Sequence, residues 1–311
     1  MTTLAADQQL TLEASRERTR MSKILRLIRR NPLGAAAAIL LISFSIIAVG
    51  AGADLLPYGG GVASPLIATH DPFSMSPTDV LKSPGNGHIL GTDDLGRDLF
   101  SRIVYGARIS LWVGFISVGI SVGIGAPAGM ISAYGGKWID FSIQRIVDAM
   151  FAFPTIILAL AIVSVLGKGI LQTTIAVGIV GIPRIARVTR ASTLGVMGMP
   201  YIEAARSLGA PSALIVAKHV FPNILAPLIV LGTAGFGTAM LAEASLSFLG
   251  LGTPPPNPSW GTMLSGAAQK YVRSAPYMAI FPGIAISLGV FAFNLFGDAL
   301  RDIFDPRLRG A

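Results

Sequence analysis

Cysteine is absent from the 311-residue sequence. That absence excludes disulfides, thiolate metal sites, iron–sulfur clusters and cysteine nucleophiles together. Charge is scarce as well: 13% of residues are charged, against about 25% in an ordinary soluble domain. With 52% hydrophobic residues and a mean hydropathy of +0.66, the chain has too little polar surface to cover a water-soluble globule. Lipid has to be the solvent for much of it. No G-x-x-x-x-G-K-[ST] phosphate loop occurs, so ATP is not held here by that device. The three histidines, His70, His88 and His219, lie far apart along the chain and form no H-E-x-x-H zinc site, which argues against an intramembrane metalloenzyme. The 36 glycines and 20 prolines are scattered, as suits membrane helices, where close packing and kinks are tolerated.

What is present in place of charge is a series of long apolar runs. A spanning helix needs about 20 mostly apolar residues. The first candidate is Leu33 to Ala53, and the second lies inside Ile109 to Gly136. The third runs from about Ile143 to Gly167. The fourth starts near Ile170 and ends against Arg184, Arg187 and Arg190, whose long side chains can reach the headgroups. The fifth fits Val220 to Ala242 and extends past Glu243 to Phe248, and the sixth fits Ser274 to Gly297. The fold class read from this is an all-α, polytopic bundle of six transmembrane helices.

Six spans put both termini on one side. Most of the 24 Lys and Arg residues then fall in segments on that side, including Arg16 to Arg30, Lys137, Arg145, Arg206, Lys218 and Arg301. This bias orients the chain with both termini in the cytoplasm. The net charge of +8 is thereby a topological signal, and a nucleic-acid partner is not needed to explain it. Residues 1–32 form a basic cytoplasmic anchor. Ala51-Gly52-Ala53 resembles a signal-peptide cleavage site, but the apolar run before it is too long, and an uncleaved first span over 33–53 is the better reading.

Residues 54–104 read as an extended excursion on the outer side, broken by Pro57, Pro65, Pro72, Pro77 and Pro84 and by Gly59 to Gly61. Its end, Leu90 to Asp98, carries three aspartates among glycines. The spacing is not that of an EF-hand, and a tight turn into a short interfacial helix, with Asp94 or Asp98 paired to Arg97 or Arg102, is expected. A proline-rich stretch, Gly250 to Gly261, forms a stiff cap on the same side, and Trp260, Tyr271 and Tyr277 suit an interfacial aromatic belt. Gly119/Gly123 and Gly125/Gly129 make two small-xxx-small pairs in the second span. Pro127, Pro154, Pro183, Pro222, Pro227 and Pro282 are kink candidates. Arg145 and Asp148 read as a structural ion pair.

The inner segment 191–222 differs from the rest. Pro200 can open a helix, and Glu203 in its first turn complements the helix dipole. Ala204, Ala205 and Leu208 favour helix; Gly209 stops it and Pro211 prevents its resumption. A short helix with this much starting and stopping chemistry, comprising Tyr201, Glu203, Ala204, Ala205, Arg206, Ser207, Leu208 and Gly209, looks like a docking knob for a soluble partner.

These residues resemble the EAA loop of ABC importer permeases, EAA-x3-G-x9-I-x-L-P, with His219 and Phe221 in place of the Ile and Leu. Further stretches are similar to the second permease of dipeptide and oligopeptide importers: Leu90 to Asp98, Ala244 to Gly252, Pro258 to Leu264, Phe293 to Asp302, and Asp305-Pro306-Arg307-Leu308. The resemblance implies a type I importer permease in a bacterial inner membrane. Its five-helix core would cover 105–300 and its cytoplasmic tail 301–311. It implies a second six-helix permease, two ABC ATPase subunits that bind ATP and Mg, an extracytoplasmic binding protein, and a dipeptide or oligopeptide substrate. The chain itself would hold no cofactor and catalyse nothing. The same scaffold serves glutathione and nickel chelates, and no substrate-contacting residue is legible. A secondary transporter or channel, the reading from another class, needs inverted repeats or midplane carboxylates. No clear repeat is present, and Asp148, Glu243 and Asp298 lie towards span ends.

Overall fold

A computed structural model describes residues 32–50, 67–85 and 87–304. The basic segment before Pro32, the run 51–66 with its glycines, and the tail from Asp305 lie outside the described residues. Ten α-helices are present among those described, with no strand. They are α1 (Pro32–Gly50), α2 (Leu99–Tyr134), α3 (Gly136–Phe151), α4 (Thr155–Leu166) and α5 (Ile170–Met197). After these come α6 (Pro200–Ser207), α7 (Ser212–Ile215), α8 (Phe221–Phe248), α9 (Trp260–Lys270) and α10 (Tyr277–Phe304). A π-helical turn, Val216–Val220, joins α7 to α8.

Four helices are long and apolar enough to cross a bilayer: α2, α5, α7–α8 taken together, and α10. The third expected span is not one straight helix. α3 and α4 meet at a bend of 96°, because Pro154 denies its predecessor the helical conformation and carries no N–H to continue the ladder. α4, with 12 residues, is about 18 Å long, short of the about 30 Å of a bilayer core. The pair counts as a fifth crossing only if taken as one broken span. α1 is uncharged over 19 residues. The fourth span also differs from expectation. It does not end at its arginines but runs on for two turns past Arg190, to Met197, because Arg187 and Arg190 find partners on α3. The loop that follows is correspondingly shorter than 191–222.

The bundle is built around α2 and α5. Gly125 and Gly129 lie on their seam: a Cβ at Gly125 would stand 2.9 Å from the Ile182 carbonyl and from the Ile185 Cβ, and one at Gly129 would stand 2.7 Å from the Thr189 Cβ. Two serines of α2 cross-link it, Ser117 Oγ donating to the Thr174 carbonyl at 2.8 Å and Ser121 Oγ to that of Gly178 at 2.7 Å. Gly119 and Gly123, the other expected pair, face open space. α8 and α10 pack on this unit through Phe236 and Phe293, whose rings stack at 3.7 Å.

One end of the bundle is fastened at the start of α2. The residues expected to form a short interfacial helix instead begin this 36-residue helix. Asp98 caps it, Oδ2 accepting from Ser101 N at 2.8 Å and Ser101 Oγ at 2.6 Å. Asp93, rather than Asp94 or Asp98, takes both arginines: Arg97 Nε at 2.7 Å and Arg102 Nε at 3.4 Å. Its other oxygen accepts from the backbone of Leu95 and Arg97. Tyr277 Oη donates to the Lys82 carbonyl at 3.0 Å, tying α10 to the turn. Trp260 is not in an aromatic belt but in the core, 1% exposed, its Nε1 donating to the Ile103 carbonyl at 2.9 Å. A buried indole needs that acceptor.

Two outcomes follow. Gly125→Leu, which forces α2 from α5, destabilises the chain by about 1–3 kcal/mol, whereas Gly119→Leu is neutral; thermal unfolding in detergent separates the two. Acid loosens the α2 cap. Burial raises the Asp98 carboxyl, but hydrogen bonds from Ser101 and with His88 outweigh it and leave the pKa below the ordinary 3.8. The stabilisation is therefore complete above the ordinary value and is lost as pH falls through the lowered one. Protection of the Ser101 amide from hydrogen exchange should fall there, and in Asp98→Ala it should be lost already at pH 7.

Candidate functional site

The knob lies at the far end of the bundle from Asp98. α6 begins with Pro200 at its first position and ends in a Schellman motif: Gly209 N–H donates to the Arg206 carbonyl at 2.9 Å and Ala210 N–H to that of Ala205 at 3.1 Å. Gly209 has φ +77°, and a Cβ there would meet nothing within 4 Å. Its glycine is thus required by backbone conformation and not by crowding.

One face of α6 is seated and the other is free. Ile202, at 0% exposure, packs with Ile185 of α5, Ile215 of α7, Val220 and Ile224, and Ala205 and Ala210 sit at the edge of the same cluster. The guanidinium of Arg206 lies over the Tyr134 ring, 5.7 Å from its centre, so the knob also holds the last residue of α2. Tyr201, Glu203, Ala204, Ser207 and Leu208 face outward, Leu208 at 88% exposure. Ser207 Oγ donates to the Glu203 carbonyl at 3.0 Å. Asn223 lies 3.5 Å from Tyr201 Oη, and the His219 ring stands 6.0 Å from the Tyr201 ring. The two positions where the sequence departs from the EAA pattern therefore lie in and just after the π-helical turn, beside the knob. Ile202, the buried anchor, went unnamed in the sequence; its signal was the three-residue spacing to Ala205.

The arginines of α5 face α3. Arg190 makes a two-pronged pair with Asp140, both contacts at 2.6 Å. Arg187 reaches Asp148 at 2.5 Å. Asp148 thus pairs with Arg187 and not with Arg145, which lies over the Phe141 ring at 4.8 Å. Arg184 is different: among the described residues it has no ionic or hydrogen-bonded partner. It lines a cleft of about 290 Å³ between α2, α4, α5 and α8, with Ser117, Ser121, Thr155 and Thr238 among the polar residues, and no other charged residue borders that cleft. An unpaired cation within a spanning helix marks a functional site by default, because the bilayer penalises it.

Residues 125–310 match the family described as binding-protein-dependent transport system inner membrane component. The chain is 42% identical over 282 residues to the dipeptide transport system permease protein DppC of Alkalihalophilus pseudofirmus, covering 91% of this chain and 88% of that one. It is 46% identical over 228 residues to the glutathione transport system permease protein GsiD of Pectobacterium atrosepticum, covering 73% and 75%. A putative peptide transport system permease protein of Brucella suis is 43% identical over 248 residues, covering 80% and 83%. Among solved structures, a chain of the MetNI methionine ABC transporter in an inward facing conformation superposes with a TM-score of 0.55 at 21% identity, covering 67% of this chain and 98% of that one. That likeness bears on the fold alone.

Proposed function

The chain belongs to the family of binding-protein-dependent transport system inner membrane components, and from that premise we propose that it is one of two permeases of an ATP-driven importer of peptides. The observation that carries this is α6, a capped helix anchored by Ile202 and presenting Tyr201, Glu203 and Leu208 outward. In this reading α1, α2, α3–α4, α5, α7–α8 and α10 make six crossings with both termini in the cytoplasm. Each of two ABC ATPases grips one permease knob, and ATP and Mg stay with them. A binding protein delivers substrate at the Asp98 end, and the second six-helix permease closes the cleft into a pathway.

Such a machine moves between inward-open and outward-open states. Shifting the balance from 1:99 to 99:1 takes about 5.5 kcal/mol of differential binding. Equal contact in both states shifts nothing. Fully burying one exposed leucine contributes about 1.5–3 kcal/mol, so two knobs, each with a side chain as exposed as Leu208, reach the required order.

Arg184 supports the peptide reading. Every linear peptide carries a terminal carboxylate, and a lone guanidinium on the wall of the cleft offers it a charge-assisted bond. Glutathione, itself a small peptide with free carboxylates, is the second reading, favoured by the 46% identity to a glutathione permease.

In the reconstituted importer, Gly209→Val strains the knob's C-cap and Glu203→Lys reverses its charge; both should insert and assemble normally and abolish ATP-coupled uptake. Normal uptake with normal assembly would overturn the coupling role. Arg184→Gln should lower uptake of a free-carboxylate tripeptide by about tenfold, the worth of one charge-assisted hydrogen bond, and Arg184→Lys should restore part of it. Unchanged uptake in Arg184→Gln would remove Arg184 from the pathway and leave the knob's role intact.

A further inference from the structure

At the opposite end from the knob, the fold brings together two histidines that are 18 positions apart and one buried carboxylate. The rings of His70 and His88 stand 4.7 Å apart. Asp98, whose side chain is 1% exposed, turns Oδ1 toward both: His88 Nδ1 lies at 2.8 Å and His70 Nδ1 at 3.7 Å. One nitrogen from each histidine and one Asp98 oxygen lie within 4.8 Å of one another. The two oxygens of Asp98 have separate tasks, since Oδ2 is engaged by the Ser101 amide and hydroxyl.

We infer that His70, His88 and Asp98 form a binding site for a divalent transition cation of the zinc type. Nitrogen and carboxylate donors bind zinc at about 2.0–2.2 Å, so tetrahedral ligand atoms stand about 3.4 Å from one another. The His70 to Asp98 separation is already close to that, and the His88 to Asp98 separation has to widen by about half an ångström. Two imidazoles and a carboxylate suit zinc, nickel or copper and not calcium or magnesium, which require a shell of oxygens.

The surroundings are those of a supported site. Ser101 fixes the carboxylate, and its hydroxyl also accepts from the His70 amide at 3.1 Å. The second nitrogen of His88 faces Asp79 Oδ2 at 3.9 Å, the placement of a carboxylate behind a ligating histidine. Asp79 is held ionised by Lys82 and Ser76, its pKa pulled down to about 2. His70 is half exposed, side chain 45%, which gives the cation a path in and leaves a coordination position open to water. A cation there would staple the segment from Thr69 to His88 onto the first turn of α2, at the end assigned to the binding protein.

The chain makes the test clean, because it has no cysteine and only three histidines, the third beside the knob. The full chain, purified in detergent with any tag removed and stripped with chelator, is titrated with Co²⁺ by visible absorption. Zn²⁺ is measured by competition with a chromophoric chelator. One equivalent per chain is expected. His70→Ala and His88→Ala should each weaken binding by about tenfold or more, and His219→Ala should leave it unchanged. His70→Ala alters a half-exposed side chain, so it remains informative if His88→Ala unfolds. Absence of stoichiometric binding, or binding that survives in the His70→Ala/His88→Ala double variant, would overturn the assignment. Neither result depends on transport, so the proposed function stands or falls separately.

Discussion

The close approach of α2 and α5 is the constraint on which the rest depends. Between membrane helices there is no hydrophobic drive, because lipid tails are as apolar as leucine. Association rests on van der Waals packing and interhelical hydrogen bonds. Gly125 and Gly129 let the two backbones meet, and Ser117 and Ser121 then reach carbonyls across the seam. Those serine bonds satisfy hydroxyls that would otherwise be stranded at low dielectric. With the seam in place, the arginines of α5 are presented to α3, and the isoleucine cluster under α6 closes. Asp98 starts α2 in the register that both ends require.

Much of this was legible in the sequence because it is local. The apolar runs gave the long helices, and Pro200, Glu203, Gly209 and Pro211 gave the knob to within a residue of its ends. These features depend on propensity and capping within a few positions. The Gly125/Gly129 pair was legible only as one of two equal candidates. Which pair packs and which faces open space depends on the rotation of α2, and that is set by α5 and not by the motif.

The features that were misread or missed depend on distant partners. Arg187 and Arg190 looked like the end of a span, since nothing nearby in sequence announces Asp148 and Asp140, 39 and 50 positions away. Trp260 reads as interfacial until Ile103 supplies a carbonyl for its indole, 157 positions distant. His70 and His88 lie in one proline-broken segment with no metal-binding spacing, and only the folded loop stacks them over Asp98. Arg184 stood in a row of three arginines, and its difference appears only once the other two are paired.

The placement of the prolines on the seam ties the knob to the cleft. α2 has 36 residues, about 54 Å of helix, long enough to connect the Asp98 end with the knob in one piece. It contains Pro127 and α5 contains Pro183, and the contact of Gly125 with the Ile182 carbonyl puts the two at the same level. Each proline removes one rung of its helix ladder, so both helices are softest at one depth. Below that depth Tyr134, Arg206 and Ile202 bind the helix ends to α6. In the proposed importer a pull on α6 would bend α2 and α5 together at Pro127 and Pro183, next to Arg184 on the cleft wall. Paired soft points above a rigid seat would then carry a displacement at the knob to Arg184, the charged residue among those described on the cleft wall. Without the seat the same pull would only detach the knob.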